Sequence, residues 1–232
     1  MIPLRDDNPT EITPVVTIGI VVACVLVFFW QISHTPEGQQ AIAYGLGLVP
    51  AVLFTDARLP PELARVPAEL TIFTSMFLHG GWMHLIGNML YLWIFGNNVE
   101  DAMGHGRFVV FYLLCGLAAA MAQALPNPDS TIPMIGASGA LAGVLGAYLL
   151  LHPSARVMVV IPLGFFFPVL YLPAALLLGM WFLLQIFSSL TVASDEGGVA
   201  WFAHIGGFVA GVVLIPFFKH SKVPLFASAR RR

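Results

Sequence analysis

Ser138 lies between glycines in the segment GASGALAG (136–143), at the start of a long apolar run. A serine hydroxyl becomes an effective nucleophile when a base within about 2.6–3.2 Å removes its proton, and neutral imidazole is the usual base. His204, in the segment WFAHIGG (201–207), is the candidate base. These two residue types predict acyl transfer by a serine and a histidine, provided that the fold brings them together.

Acyl transfer also requires hydrogen-bond donors that point at the developing oxyanion. His84 and Asn88, in the segment HGGWMHLIGNMLY (79–91), are spaced i, i+4 and therefore share one face of a helix. The backbone N–H of Ser138, at the start of a helix, is a third candidate donor. The sequence thus contains candidates for the nucleophile, the base and the oxyanion donors.

The composition indicates that these groups lie in a membrane. The chain has 232 residues, of which 58% are hydrophobic and 9% charged, and its mean hydropathy is +0.86. Charge-free stretches long enough to hold membrane-crossing helices predict six spans. The predicted spans are 15–33, 82–98, 108–125, 138–151, 170–190 and 201–218. The expected fold is an all-α membrane protein with a leader (1–13), a six-helix membrane domain (14–219) and a basic tail (220–232).

Basic residues indicate the orientation of these spans. They occur in the tail and in the connections after the second and fourth spans, at Lys219, Lys222, 230–232, Arg107 and Arg156. Because basic connections stay in the cytoplasm, both termini are expected there, with the candidate groups near the outer face. The leader lacks the features of a removable signal peptide, and no targeting segment is visible. We therefore expect a multi-pass protein of a bacterial cell membrane, and a net charge of −2 gives no reason to expect a nucleic-acid partner.

Small residues predict how the helices bring these groups together. There are GxxxG pairs on the fourth span (Gly139, Gly143) and on the sixth (Gly207, Gly211). The second pair follows His204 by three and seven positions, so it shares the helix face of the imidazole. Close packing of the two spans would place that ring within reach of the serine hydroxyl. No carboxylate lies within the six spans to orient the base, so a dyad is expected.

Other interpretations of these residues remain open. A serine between glycines in a membrane helix is most often a packing residue, and an isolated His or Asn often bonds between helices. His79, His84 and His204 could bind a metal, but no thiolate or carboxylate joins them and no HExxH occurs, so no metal or cofactor is expected. A transporter usually shows carboxylates within its spans. The combination of polar groups at one depth on three helices favours catalysis.

The segments HGGWMHLIGN (79–88), GASG (136–139) and AHIGG (203–207), in that order on the second, fourth and sixth spans, resemble the rhomboid family of intramembrane serine proteases. The resemblance implies that Ser138 is the nucleophile, that His204 is the general base, and that His84 and Asn88 line the oxyanion hole. It also implies structural support from His79, Glu100, Gly136, Gly139 and Gly207.

The same resemblance implies the substrates and their route. Single-span membrane proteins in the lipid bilayer would be cut near the outer membrane face. They would enter between the second and fifth spans, past Trp181 and Phe182 as gate contacts. The sequence does not indicate an oligomeric state.

The chain departs from the family pattern at two places. Ala142 stands four positions after the candidate nucleophile, where the family often has an aromatic ring that stacks on the base. The first loop lacks the usual Trp-Arg pair and reads ELTIF at 69–73. These differences leave the orientation of the base and the anchoring of the first loop open. A catalytically silent chaperone or scaffold built on the same fold is the alternative function.

Overall fold

The computed structural model describes residues 1–191 and 200–227, and most of them lie in helices. The helices are α1 (Val15–Ile32), α2 (Pro36–Leu46), α3 (Pro50–Phe54), α4 (Thr71–Thr74), α5 (Trp82–Met103), α6 (His105–Ala124), α7 (Ser138–Leu151), α8 (Ala174–Thr191) and α9 (Trp201–Phe218). Two 3₁₀ turns, Ala68–Leu70 and Ser75–Phe77, flank α4. The strands are β1 (Ile2–Asp6), β2 (Arg156–Val160) and β3 (Val169–Pro173). The arginines of the predicted tail at 230–232 lie outside the described residues.

Each of the six predicted spans overlaps a helix of at least 14 residues. Within the described residues, α1, α6, α8 and α9 are long and apolar enough to cross a membrane. Helix α7 is apolar but has only 14 residues, whereas α5 has 22 residues and includes polar side chains. The mostly helical membrane fold is confirmed. The number of spans and the side on which each terminus lies stay predictions.

Helix α7 lies at the centre of the bundle and packs against α5, α6, α8 and α9. Residues from Gly139 to Tyr148 are all buried, so this helix has no polar face. A helix that is apolar all round is stable only inside a larger assembly. The surrounding helices therefore fix the position of its first residue, Ser138.

Helices α7 and α9 approach each other closely enough for their backbones to touch. A methyl group placed on Gly207 would lie 2.0 Å from the Gly139 carbonyl oxygen, and one on Gly211 would lie 1.9 Å from the Gly143 carbonyl oxygen. Such distances exclude any side chain, so only glycine permits this packing. The predicted close approach of the fourth and sixth spans is confirmed.

A three-stranded antiparallel sheet corrects the all-α prediction. Its order is β1-β2-β3, with Ile2 opposite Val160 and Arg156 opposite Pro173. The residues of β2, RVMVV, have the β-branched composition that favours strands. A strand of five residues is too short to be found by a search for membrane-length apolar stretches. That search therefore leaves β2 in a connection and places most of β3 in the fifth span.

The sheet also changes one predicted boundary and gives the predicted leader a place in the fold. Residues 170–173, predicted to begin the fifth span, belong to β3, and α8 begins only at Ala174. The predicted leader (1–13) contributes β1 and is therefore paired with the rest of the protein.

The start of α1 is tied to the end of α5 by two carboxylates. Glu100 is fully buried and accepts hydrogen bonds from the backbone N–H groups of Val16 at 2.9 Å and Thr17 at 2.8 Å. Asp101 accepts one from the N–H of Ile12 at 2.9 Å. Carboxylates stabilise the unpaired N–H groups of a helix N-terminus. These contacts and the sheet lie at one end of the bundle, and the first residues of α5, α7 and α9 lie at the other.

Candidate active site

Ser138 and His204 begin neighbouring helices and are joined by a hydrogen bond. Ser138 is the first residue of α7, and His204 lies in the first turn of α9. The Ser138 Oγ and His204 Nε2 atoms are 2.8 Å apart. The imidazole is buried, with 8% of the residue exposed. This distance is within the range in which a histidine can remove a serine proton.

The other imidazole nitrogen of His204 contacts a residue that the sequence analysis overlooked. Gln185, on α8, places its Oε1 2.7 Å from His204 Nδ1. A second amide, Gln123 on α6, accepts a hydrogen bond from the backbone N–H of Ala203 at 3.2 Å. Placing a polar side chain within an apolar span costs free energy, so each such residue is a candidate functional group. The same rule that selected the histidines would have selected both glutamines.

Aromatic rings pack beside His204, but they come from α8 and α9. The ring centroid of Trp181 lies 5.7 Å from that of His204 with a 37° tilt, and Trp201 makes an edge contact at 6.2 Å. Ala142, where the family often has the aromatic ring, is fully buried in α7. The aromatic rings next to His204 therefore come from helices other than α7.

These contacts alter the interpretation of Trp181 and Phe182 as gate residues. Trp181 and Phe182 both contact Phe208 of α9, and the Phe182 ring stacks on Phe208 at 4.3 Å. Both side chains therefore pack on the interior side of α8 against α9. Shortening Trp181 would disturb the surroundings of His204.

His84 has its Nε2 atom close to Gly136, two residues before Ser138. The backbone N–H of Gly80 donates to His84 Nδ1 at 3.3 Å, so the neutral ring carries its proton on Nε2. Gly136 has a φ of +127°, and a methyl group on it would lie 2.7 Å from His84 Nε2 and 3.7 Å from Ser138 Oγ. Glycine at 136 thus permits both the backbone conformation and the approach of the ring.

Asn88 provides a second donor. Its side-chain Nδ2 is buried and has no hydrogen-bond partner among the residues that the structure describes. Leaving a buried amide donor unpaired costs about 1–3 kcal/mol. Asn88, His84, Ser138 and His204 all line one cavity of about 1080 Å³. The backbone N–H of Ser138, at the first position of α7, has no carbonyl four residues earlier within its helix.

His79 lies next to this cluster and links it to α1. Its backbone N–H donates to Gln31 Oε1 at 3.0 Å, and Gln31 Nε2 donates to its carbonyl at 3.4 Å. The His79 ring contacts the His84 ring edge-on at 5.1 Å. Burial, together with the neighbouring His84, lowers the pKa of His79 to about 4, so the ring is neutral near pH 7. The hydrogen-bond partners that the structure gives His79 lie on α1 and in its own segment.

The segment that leads into Ser138 is held by the first loop and by the turn after α4. Leu48 and Met134 exchange backbone hydrogen bonds of 3.0 and 2.7 Å. The N–H of Gly136 donates to the Ser75 carbonyl at 2.9 Å. Backbone pairing therefore anchors the first loop to the candidate site without the Trp-Arg pair.

Comparison with known proteins places this geometry in context. The family model described as the Rhomboid domain matches residues 67–221, which include all four residues of the cluster. The chain is 32% identical over 155 residues to Rhomboid protein 1, mitochondrial, of Saccharomyces cerevisiae, covering 64% of this chain and 41% of that protein. It is 38% identical over 110 residues to Rhomboid protease GluP of Bacillus subtilis, covering 42% and 21% respectively.

A chloroplast protein is also similar. Rhomboid-like protein 11, chloroplastic, of Arabidopsis thaliana is 31% identical over 157 residues, covering 64% of this chain and 52% of that protein. The chain spans from about a fifth to about half of the length of these relatives. Because their names include a mitochondrial and a chloroplastic protein, location in a bacterial cell membrane stays a prediction.

Proposed function

The chain belongs to the rhomboid family, and we propose that it is an intramembrane serine endopeptidase with Ser138 and His204 as its catalytic dyad. The observation that supports this proposal best is the 2.8 Å hydrogen bond between Ser138 Oγ and His204 Nε2. His84 and Asn88, whose side chains can each donate a hydrogen bond, line the same cavity as Ser138 and support it further.

The first half of the reaction forms an acyl-enzyme. His204 Nε2 accepts the Ser138 proton while Oγ attacks the carbonyl carbon of the scissile peptide bond. The resulting oxyanion accepts hydrogen bonds from His84 Nε2–H, Asn88 Nδ2–H and the Ser138 N–H. The imidazolium then gives its proton to the leaving nitrogen as the C–N bond breaks, and the acyl group remains on Oγ.

The second half hydrolyses this ester. Water in the cavity loses a proton to His204 as it attacks the acyl carbon, and the same donors hold the second oxyanion. The proton on His204 passes to Oγ when the C–O bond to Ser138 breaks. The free enzyme and a carboxylic acid are the products, so the dyad needs no further reactant.

The substrates follow from the location of the cavity within an apolar bundle. A peptide bond in a membrane helix is already hydrogen-bonded within that helix, so it reaches a nucleophile only where the helix unwinds. We expect single-span proteins with small or helix-destabilising residues near the outer face. A cavity of about 1080 Å³ leaves room for an unwound segment beside Ser138.

Fluorophosphonate labelling in mild detergent tests the proposal. The wild-type protein should become covalently labelled and should cleave tagged transmembrane substrates, whereas Ser138→Ala and His204→Ala should do neither. A folded wild-type protein that neither labels nor cleaves any member of a substrate panel would instead favour the silent scaffold.

A further inference from the structure

Gln185 is a buried amide on a helix that contributes no member of the proposed catalytic dyad or its oxyanion donors. Only 6% of the residue is exposed, in α8 between apolar neighbours. Its Oε1 lies 2.7 Å from His204 Nδ1, and its Nε2 lies 3.2 Å from the Trp181 carbonyl oxygen one turn earlier. Burying an amide in an apolar helix is costly unless its hydrogen bonds are satisfied. Both ends of this amide have partners.

The Trp181 carbonyl fixes which way this amide points. A carbonyl oxygen can only accept hydrogen bonds, so the NH₂ group of Gln185 must face the Trp181 carbonyl. The amide oxygen then faces His204 Nδ1 and can only accept a hydrogen bond from it. In the reversed orientation two oxygens would face each other at the Trp181 carbonyl. The hydrogen-bond inventory therefore selects one orientation.

This orientation also fixes the imidazole tautomer. If Nδ1 carries the hydrogen that Gln185 accepts, Nε2 of the neutral ring carries none. A bare Nε2 can accept the Ser138 hydroxyl proton across 2.8 Å. The opposite tautomer would present an N–H to Ser138 and could not act as its base. Among the described residues, His84 on α5 is the titratable side chain that interacts with His204.

We propose that Gln185 is a positioning residue, which holds His204 in the tautomer and orientation required of a general base through its Oε1–Nδ1 hydrogen bond. The inference rests on the proposed function for its catalytic consequence. Gln185 occupies the place of the third, orienting group in a catalytic triad. It supplies a neutral amide oxygen, so the arrangement is a dyad with a fixed ring and no buried charge.

Two substitutions separate positioning from a structural role. Gln185→Met preserves length and removes the acceptor, so kcat should fall about 10- to 100-fold, a part of the roughly 10²- to 10⁴-fold that general-base catalysis contributes. KM should change little. Gln185→Glu keeps an acceptor oxygen, so it should retain more activity than Gln185→Met. Its added negative charge should also move the acidic limb of the pH–rate profile to higher pH, because a carboxylate beside the ring favours imidazolium.

Ser189→Ala is the matched control on the same helix. Ser189 lies one turn after Gln185, and its hydroxyl bonds only to the Ile186 carbonyl at 2.8 Å among the contacts that the structure gives. This variant should match the wild-type kcat within about twofold. If Gln185→Met matches the wild type, or if the Glu and Met variants lose activity equally with no shift of the pH profile, the positioning role is wrong.

¹⁵N-histidine NMR of the protein in bilayers tests the tautomer without any substrate. The His204 signal, identified by its loss in His204→Ala, should show a protonated Nδ1 and a bare Nε2 in the wild type. Gln185→Met should populate the other tautomer. A wild-type signal with the proton on Nε2 would overturn the inference, even if Gln185→Met cannot be purified folded. Failure of Ser138 to label would count against the protease alone, since the tautomer is measured separately.

Discussion

At the scale of single residues, the candidate site contains a side-chain donor that makes no hydrogen bond in the described part of the resting protein. Asn88 Nδ2 is buried without a partner among the described residues, although its helix could have carried an apolar side chain there. An unpaired buried amide lowers stability. Such a group is retained at a cost where it stabilises a charge that appears only during reaction.

Asn88→Leu should therefore separate activity from stability. We expect kcat to fall about 10²- to 10³-fold, since one oxyanion donor is lost, while the melting temperature stays the same or rises. Asn98→Leu on the same helix is the control, because Asn98 Nδ2 donates to the Asn8 carbonyl at 2.9 Å. That variant should melt earlier and retain the kcat of the wild type per folded molecule. A large loss of stability in Asn88→Leu would mean that the Asn88 amide already stabilises the resting protein, which contradicts its proposed role.

The proposed role of His204 as the base predicts the pH dependence of the rate. A protonated His204 cannot accept the Ser138 proton, so kcat/KM should decrease as the pH falls below neutrality. The measurement is cleavage of a transmembrane substrate at fixed detergent between about pH 8 and pH 4. A rate that stays constant over this range would mean that His204 is not the base.

At the scale of helices, backbone contacts at glycines determine how closely α7 and α9 pack. The contact between Gly211 and Gly143 lies two turns away from His204. A substitution there changes how the helices pack without replacing a residue of the candidate site. A side chain there must push the helices apart or bend one of them. Because Ser138 and His204 lie on these two helices, any separation lengthens the hydrogen bond between them.

Gly211→Ala should lower both stability and activity. The added methyl group would lie 1.9 Å from the Gly143 carbonyl oxygen, and overpacking of this kind typically costs about 1–3 kcal/mol. Gly19→Ala on α1 is the control, since a methyl group there meets nothing within 4 Å. Thermal unfolding and kcat are the measurements. Equal melting temperatures for Gly211→Ala and Gly19→Ala would mean that Gly211 and Gly143 do not pack this closely.

The helices that carry the cluster were the easiest part of the fold to predict. Helices α7 and α9 have the predicted bounds, because apolar stretches between charges define long membrane helices strongly. The hairpin of β2 and β3 was not predicted, since its pairing with β1 is a long-range contact that leaves no periodic pattern in either segment.

The candidate site was predictable to a different degree for each residue. Ser138, His204, His84 and Asn88 could be selected because their types match one reaction and their spacing places them on helix faces. Gln185 could not be paired with His204 from the sequence, since the approach of α8 to α9 depends on tertiary packing. Gln185 also lies in no sequence motif that would indicate a catalytic role.

At the scale of the whole molecule, the sheet ties the N-terminal strand to the far end of α7. Asp6 accepts a hydrogen bond from the Tyr148 hydroxyl, and Asp7 accepts one from the Arg156 N–H at 2.8 Å. Burial raises the pKa of Asp6 to about 6, and the nearby Asp7 adds to this although the Tyr148 hydrogen bond opposes it. The folded protein thus binds a proton at Asp6 more tightly than the unfolded chain does.

Asp6 should make the protein less stable as the pH rises. The unfolded carboxyl titrates near pH 3.9 and the folded one near pH 6, so between these values the folded state holds more protons and stability decreases with increasing pH. Asp6→Asn keeps an oxygen for Tyr148 and removes the charge. The difference in melting temperature between this variant and the wild type should grow from pH 4 to pH 6.5 in favour of Asp6→Asn. A difference in melting temperature that is constant with pH would contradict the raised pKa of Asp6.

The pairing of β1 with β2 also has a consequence for the order of events during synthesis. Asp7 and Arg156, which bond to each other, are 149 positions apart. At about 5–20 residues per second, a ribosome takes about 7–30 s to travel between them. During that interval α1, α5 and α6 are made, but the strand that pairs with β1 is not. The residues of β1 are thus synthesised well before the strand with which they pair.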